Sequence, residues 1–300
     1  MTEQSFRSGF VTLVGRPNVG KSTLLNALVG RKVAITSAKP QTTRTRIQGV
    51  LHLPEAQVVF IDTPGIHKPK HRLGEWMVRL AENTLSGVDA VCFLLEGGKL
   101  PGTGDRYIAE QLRHAESPVI AVLNKIDQPA EVDPALIVQA VADLFPFHAV
   151  VRTSALTGEG LDELKDLLIR LMPPGPKYFP EDMDTDQPER VFVSELIREQ
   201  VLTLTRDEIP HSVAIALEEM EERKGGKLYI SATIYVERES QKGIIIGKRG
   251  EMLRRIGTAS RHEIESVFHT PVFLDLWVKV RDNWRNREGA LRQFGYYEET

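Results

Sequence analysis

The sequence predicts a two-part α/β chain: a doubly wound, mostly parallel sheet, followed behind a proline- and acid-rich linker by a smaller α+β domain. Three observations carry this. Apolar runs that read as buried strands alternate with helical stretches up to about residue 172. Glycine- and charge-rich loops stand at the strand ends, where doubly wound sheets build their sites. The linker, Met172–Arg190, separates this alternation from a helix–strand–strand–helix–helix–strand order. The expected boundaries are 8–172 for the first domain, 173–190 for the linker and 191–300 for the second.

A chain of 300 residues with 41% hydrophobic content has ample material for two cores. Its net charge of −3 favours no class of partner. A single cysteine, Cys92, excludes an intramolecular disulfide and a cysteine-based zinc site. It lies inside the apolar run AVCFLL (Ala90–Leu95), as a small buried hydrophobe would. The N-terminal MTEQSFRSGF lacks the apolar centre of a signal peptide, and no apolar stretch reaches membrane-spanning length. A cytoplasmic protein is expected.

The stretch that organises the first domain is GRPNVGKST, Gly15–Thr23, between the strand Phe10–Val14 and the helical LLNALV. That context is what a phosphate loop of the form G-x-x-x-x-G-K-[ST] requires. Gly15, Arg16, Pro17, Asn18, Val19 and Gly20 form the loop, and the two terminal glycines let backbone N–H groups turn around an anion. Lys21 reaches the β- and γ-phosphates, Ser22 offers its hydroxyl to Mg²⁺, and Ser22 and Thr23 open the helix whose N-terminus attracts the phosphates. A chance glycine turn is the competing account, and the full spacing argues against it.

The next segment, RKVAITSAKPQTTRTRIQGV, is polar and lacks periodicity before Gln48–Leu53, as a switch loop would. Thr42 and Thr43 are both candidates for a second Mg²⁺ ligand sensing the γ-phosphate, with Thr43 taken as the site residue. The strand QVVFI (Gln57–Ile61) delivers Asp62, Thr63, Pro64, Gly65 and then Ile66. Asp62 can hold Mg²⁺ through water, and Gly65 can offer its N–H to the γ-phosphate. A later strand ends in Asn124-Lys125-Ile126-Asp127. Asp127 can accept from guanine N1–H and N2–H₂, a donor pair that adenine lacks, so an unpaired carboxylate penalises the wrong base. Asn124 would brace the loops and the Lys125 stem would lie along the base. After the sixth strand come Ser154, Ala155 and Leu156, where the Ala155 N–H is placed to meet guanine O6.

Together, GRPNVGKS, the threonine-rich switch, DTPG, NKID and SAL resemble a translation-factor-related GTPase, and PQTTR beside DTPGIHKP resembles the Era family more narrowly. The resemblance covers essentially the whole chain and implies a Ras-like P-loop GTPase domain binding GTP or GDP with Mg²⁺. In the second half, Gly247-Lys248-Arg249-Gly250 is a GxxG turn between two helical segments. With its flanking order of elements it resembles a type II KH domain, whose turn approaches a nucleic-acid backbone beside a groove for about four nucleotides. Gly247, Lys248, Arg249, Gly250 and Arg254 are the expected RNA-binding residues.

From Glu181 to Thr300 there are 18 Lys and Arg against 23 Asp and Glu. From Lys242 to Arg261 there are six basic residues against one acidic, and the tail adds Lys279, Arg281, Arg285, Arg287 and Arg292. Positive charge on the GxxG element and the tail suits an RNA groove, with solvated helix faces as the alternative. Trp277 reads as core, between Leu276 and Val278; Trp284, Tyr296 and Tyr297 read as candidates for stacking on bases.

The resemblance implies GTP-regulated binding to the 3′ end of 16S ribosomal RNA during assembly of the 30S subunit. It also implies a monomer with peripheral association at the cytoplasmic face of the inner membrane. A constitutive RNA-binding scaffold holding nucleotide structurally is the competing class, and a tRNA-modifying GTPase is disfavoured by the KH-like half. Many small GTPases carry glutamine directly after D-x-x-G to orient water. Ile66 stands there, so slow intrinsic hydrolysis is expected. Arg44 and Arg46 lie in the switch, yet neither is an obvious arginine finger. Lys21, Thr43, Gly65 and Asn18 are the expected catalytic group. Asn18 is either part of a K⁺ site, as in GTPases of the GxPNxGKS form, or a loop-stabilising residue.

Overall fold

The computed structural model describes residues 6–66, 69, 71–206 and 209–296. The first half runs β1 (Arg7–Gly15), α1 (Lys21–Val29), β2 (Ile47–His52), β3 (Ala56–Asp62), α2 (Arg72–Asn83), β4 (Ala90–Glu96), α3 (Thr103–Leu112), β5 (Val119–Asn124), α4 (Pro134–Ala142), β6 (Ala149–Arg152) and α5 (Leu161–Leu171). Its sheet has the order β2-β3-β1-β4-β5-β6. Only β2 is antiparallel, to β3; the rest are parallel. Helices cover both faces, so the strands are apolar on both sides. Val11, Leu13, Phe60, Cys92 and Leu94 face one core with Leu24, Leu25, Leu164 and Leu168. Val14, Ile61, Val91 and Phe93 face the other, with Ile108, Leu112 and Ile137.

Local chemistry sets the ends of the helices. Helix α1 stops at Gly30, whose left-handed φ of 80° is open to glycine at little cost, and whose N–H bonds Asn26 O. Helix α4 starts where the Asp133 side chain accepts from the Ala135 N–H, with Pro134 at its first turn. The order β3-β1-β4 makes β1 the switch point, since the chain leaves it first to one side and then to the other. A crevice opens there beyond the strand ends, and the phosphate loop follows β1 into it.

The second half runs α6 (Glu189–Leu204), α7 (Ile209–Ser212), β7 (Ala214–Arg223), β8 (Lys227–Val236), α8 (Glu239–Ile246), a 3-10 turn Lys248–Gly250, α9 (Glu251–Phe268), β9 (Val272–Val280), a second 3-10 turn Trp284–Asn286 and α10 (Glu288–Gln293). Strand β8 pairs antiparallel with β7 and parallel with β9, which lies at the sheet edge. One face of this sheet (Ile230, Ala232 and Ile234 with Val272, Leu274 and Leu276) packs on α6 and α9 through Val193, Leu196, Ile197, Ile256 and Ile264. By density of contacts the chain forms two units: the first takes in the chain up to Ala34, Thr43–Pro69 and Met77–Asp186, the second Ile35–Thr42, a short stretch ending at Trp76, and the chain from Gln187. Residues 173–186 thus count with the first unit and Ile35–Thr42 with the second.

Two expectations about aromatic residues are overturned. Trp277 is 58% exposed, because neighbours on a strand point to opposite faces and Leu276 and Val278 take the inner one. Trp284 is fully buried and Tyr296 nearly so: the chain folds back after β9, and the Trp284 indole N–H donates to Ser212 O at 2.8 Å while its ring meets Phe294 edge-on and Tyr296 face-on. Neither Trp284 nor Tyr296 is available to a base. Tyr297 lies outside the described residues.

Cys92 has no exposed surface, and burial pushes its thiol up to about 12. The folded protein should therefore leave a thiol-reactive dye unreacted at pH 8, while the urea-unfolded chain takes up one equivalent. Rapid one-to-one labelling of the folded chain would refute this packing.

Candidate functional site

The ends of β1, β3 and β5 bring the sequence-predicted nucleotide residues together. Leu13 is in register with Asp62, so the loop after β1 and the DTPG segment after β3 lie side by side. The Ile66 N–H donates to Gly15 O at 3.3 Å, and a Cβ on Gly65 would meet the Pro17 backbone nitrogen at 2.7 Å. Gly65 is thus fixed as glycine by this close approach. Thr63 turns its hydroxyl back to Leu13 O at 2.9 Å, and Thr63 and Pro64 are buried. Gly20, with φ 99°, packs against the Asn124 carboxamide.

Three oxygens cluster at the foot of this loop. Ser22 Oγ lies 2.8 Å from Thr43 Oγ1, and both hydroxyls meet Asp62 Oδ2, at 2.6 and 3.1 Å. Thr42 points elsewhere: its hydroxyl donates to Lys39 O at 2.7 Å. Of the two threonines, Thr43 is therefore the one that joins this oxygen cluster. Asp62 Oδ1 is buried and has no hydrogen-bond partner among the described residues. A hard divalent cation taking oxygen ligands fits that donor set, and the orphaned oxygen is what such an ion would satisfy, directly or through water.

Lys21 is buried, and its ammonium donates to Gly15 O at 3.4 Å and Arg16 O at 3.2 Å. Burial lowers its pKa, and the Asp62 charge offsets this in part. Burial likewise raises Asp62, with Lys21 and the two hydroxyls opposing. Both charged forms are thus short of solvation in the protein alone. Phosphate oxygens beside Lys21 and a metal beside Asp62 supply the missing countercharges. The structure fits Mg²⁺ and a nucleoside phosphate, with Ser22, Thr43 and Asp62 as the residues that would hold the metal.

At the other end of the site, Asn124 links the loops. Buried Asn124 donates to Val19 O at 2.9 Å and accepts from the Ala155 N–H at 3.0 Å, tying three loops together. The Ala155 N–H, expected to face guanine O6, is thus held by Asn124. Ser154 donates to Asp127 Oδ1 at 2.6 Å, orienting the exposed carboxylate. Lys125 reaches Asn18 O at 2.6 Å and pairs with Glu96 at 3.3 Å, so its stem spans from the base loop to the phosphate loop. Leu156 is exposed, as are Asn18 and Asp127.

Two residues at the site escaped the sequence reading. Glu96 ends β4 in register with Asn124, and burial would raise its carboxyl, yet Lys125 and Lys99 hold it below the ordinary range. Asp105 anchors Arg16 at 2.8 Å while its other oxygen caps the Gly102 N–H. Their positions at a strand end and a helix start were the only signal. Arg44 is buried and Arg46 exposed.

In the second unit, Gly247, Arg249 and Gly250 all have left-handed φ, of 71°, 52° and 77°. The turn lies beside a cavity of about 370 Å³ lined by Gly250, Leu253, Arg254, Gly257, Arg261 and Leu276. Lys248, Arg249, Arg254 and Arg255 are exposed, and no ion pair to them is found among the described residues. The tail differs: Arg285 pairs with Glu237 at 2.5 Å, Arg287 with Asp282 at 3.3 Å and Arg292 with Glu288 at 2.8 Å. Exposed positive charge without an ion pair among the described residues thus stands on the GxxG turn and α9, whereas these tail arginines are paired.

Comparison with known proteins finds matches to both halves of the chain. A family described as 50S ribosome-binding GTPase matches residues 10–125, and the KH domain family matches residues 208–285. GTPase Era of Geotalea uraniireducens is 51% identical over 99% of this chain and 100% of its own length. Among solved structures, an Aquifex aeolicus Era variant bound to GDP·AlF4⁻ superposes with a TM-score of 0.91 at 41% identity, covering 97% of this chain and 99% of that one. An Era complex with MgGDPNP and nucleotides 1506–1542 of 16S ribosomal RNA gives 0.92 at the same identity and coverage.

Asp127→Asn exchanges an acceptor for a donor where guanine N1–H and N2–H₂ would be read. Affinity for GTP should fall by about 100-fold or more and affinity for XTP should rise. Equal competition by ATP and GTP in the wild type would refute guanine reading; equilibrium titration with labelled nucleotides measures both.

Proposed function

Since the chain belongs to the Era family of GTPases, we propose that it is a GTP-controlled switch that binds the 3′ end of 16S ribosomal RNA and acts in assembly of the 30S subunit. The observation that carries this reading is one chain holding both a buried Lys21–Asp62 phosphate site and a GxxG groove rimmed by exposed cations. The family described as 50S-binding matches residues 10–125 alone, whereas the relative bound to 16S ribosomal RNA covers 97% of the chain, groove included. The RNA target is therefore taken from the latter. The proposed domains are residues 8–172 and 191–300, joined by 173–190. No described helix is long and apolar enough to cross a membrane; peripheral association with the cytoplasmic face of the membrane is part of the proposal, as the family resemblance implies.

In the G domain, Lys21 would stabilise charge on the β- and γ-phosphates, and Mg²⁺ held at Ser22, Thr43 and Asp62 would neutralise those oxygens. Gly65 would present its N–H to the γ-phosphate. Ile66 is 3% exposed and packs into a core with Ile61 and Val91, so its side chain cannot orient water. Hydrolysis by the chain alone should therefore be slow. Thr43 touches Asp62, whereas the preceding Thr42 offers its carbonyl to Arg198, a buried residue of α6 paired with Glu195.

Lys248→Asp with Arg249→Asp puts repulsion where a phosphate backbone would approach. RNA affinity should drop by about 100-fold while GTP binding stays intact. In the wild type, RNA affinity should differ between GTP-analogue and GDP forms; equal affinities would support the constitutive scaffold instead.

Asn18 has a left-handed φ of 67°, which asparagine adopts readily, and its carbonyl accepts from Lys125. A structural role accounts for this backbone; a K⁺ site near the phosphates would use its side-chain carbonyl. Asn18→Gly keeps the backbone and removes the carboxamide, so it separates the two. With a K⁺ site, wild-type turnover should be about tenfold or more faster in K⁺ than in Na⁺ at equal ionic strength, and Asn18→Gly should abolish the difference. Equal wild-type rates would leave Asn18 a loop residue.

A further inference from the structure

Strand β9 turns its residues alternately to two faces. Leu274 and Leu276 line the groove beside the GxxG turn. Phe273 and Trp277 point to the opposite face and are 51% and 58% exposed. There the Phe273 ring lies 5.8 Å from Tyr229 at an interplanar angle of 15°, in register on β8. The Arg223 guanidinium sits 3.5 Å from the Tyr229 ring centre, and the Lys227 ammonium 5.6 Å from that of Phe273. Lys224 adds a third cation in the β7–β8 turn, where Gly225 and Gly226 have left-handed φ and open space around them.

The acids on this face are largely engaged. Glu221 pairs with Arg223 at 3.0 Å, and Asp275 accepts from the Trp277 indole N–H at 3.1 Å; Glu219 is exposed opposite Ser231. The apolar surface that β8 and β9 expose here consists of flat rings with cations over their faces. Rings interleaved with cations match single-stranded nucleic acid, whose every base has a π-face and whose backbone is anionic. Because β9 is an edge strand, one strand's width separates this face from the groove.

We propose that the outer face of this sheet is a second, stacking site for unpaired nucleotides of the RNA held in the groove. Phe273 and Trp277 take bases, and Lys224, Lys227 and Lys279 meet phosphates. The proposal rests on the groove reading of the GxxG turn. Strands leaving the groove cross the β9 edge and stack on its far side, lengthening the bound segment.

The test uses the full chain with labelled single-stranded RNA of about four nucleotides, enough for the groove, and about twelve, enough for both faces. Phe273→Ser with Trp277→Ser should weaken binding of the longer strand by about tenfold or more and leave the shorter one within about twofold. In the wild type, the longer strand should quench tryptophan emission and the shorter should not, and Trp277→Phe should remove that quenching. Unchanged affinity for the longer strand in the double variant, with no quenching, overturns the proposal. The same result with loss of binding to intact ribosomal particles assigns the face to a protein and also overturns it. Failure of the short strand to bind the wild type refutes the groove reading instead, and Trp277-dependent binding of the long strand would then still support the outer face.

Discussion

Two opposite charges stripped of water, on Lys21 and Asp62, are the constraint around which the first unit is built. Neither is comfortable alone: burial lowers the lysine and raises the aspartate, and their mutual attraction repairs only part of this. A buried pair is weak evidence of stability, since desolvation costs on the order of several kcal/mol per ion. It persists here because β1 and β3 are locked in parallel register with Leu13 opposite Asp62, inside a sheet covered on both faces. Asp62 Oδ1 is buried there without a hydrogen-bond partner among the described residues.

From that centre, specificity spreads through polar braces. Asn124 ties the phosphate loop to the base loops, Lys125 spans them, and Glu96 and Asp105 hold Lys125 and Arg16 from outside the motifs. None of these side chains needs to touch a ligand to matter, because each fixes the direction in which a neighbour presents its donors or acceptors. The switch threonines divide the labour: Thr43 joins the oxygen cluster, and Thr42, with Thr36 bonded to Glu199 at 2.8 Å, belongs to the second unit.

The second unit separates its two faces by the same alternation that defines a strand. The inner face of β9 contributes to the core and the groove, and the outer face carries rings and cations. Its charge is directed as well. The tail's arginines are largely spent on Glu237, Asp282 and Glu288, whereas those of the GxxG turn and α9 remain outward.

What the residues alone determined is what contiguous chemistry controls. The GRPNVGKS loop, the DTPG and NKID turns and the GxxG turn are legible because a few neighbouring residues dictate backbone shape and donor placement. Strand and helix order followed from apolar periodicity, which is local too. Tertiary structure decided where side chains face. Trp277 and Trp284 exchanged their expected places because the indole of Trp284 found its acceptor at Ser212, 72 residues away in sequence, while Trp277 was turned outward by the core's claim on its neighbours. Choosing Thr43 over Thr42, and spending the tail's arginines on distant acids such as Glu237, likewise depended on partners remote in the chain. Periodicity says that a residue has a face; only packing says what lies opposite it.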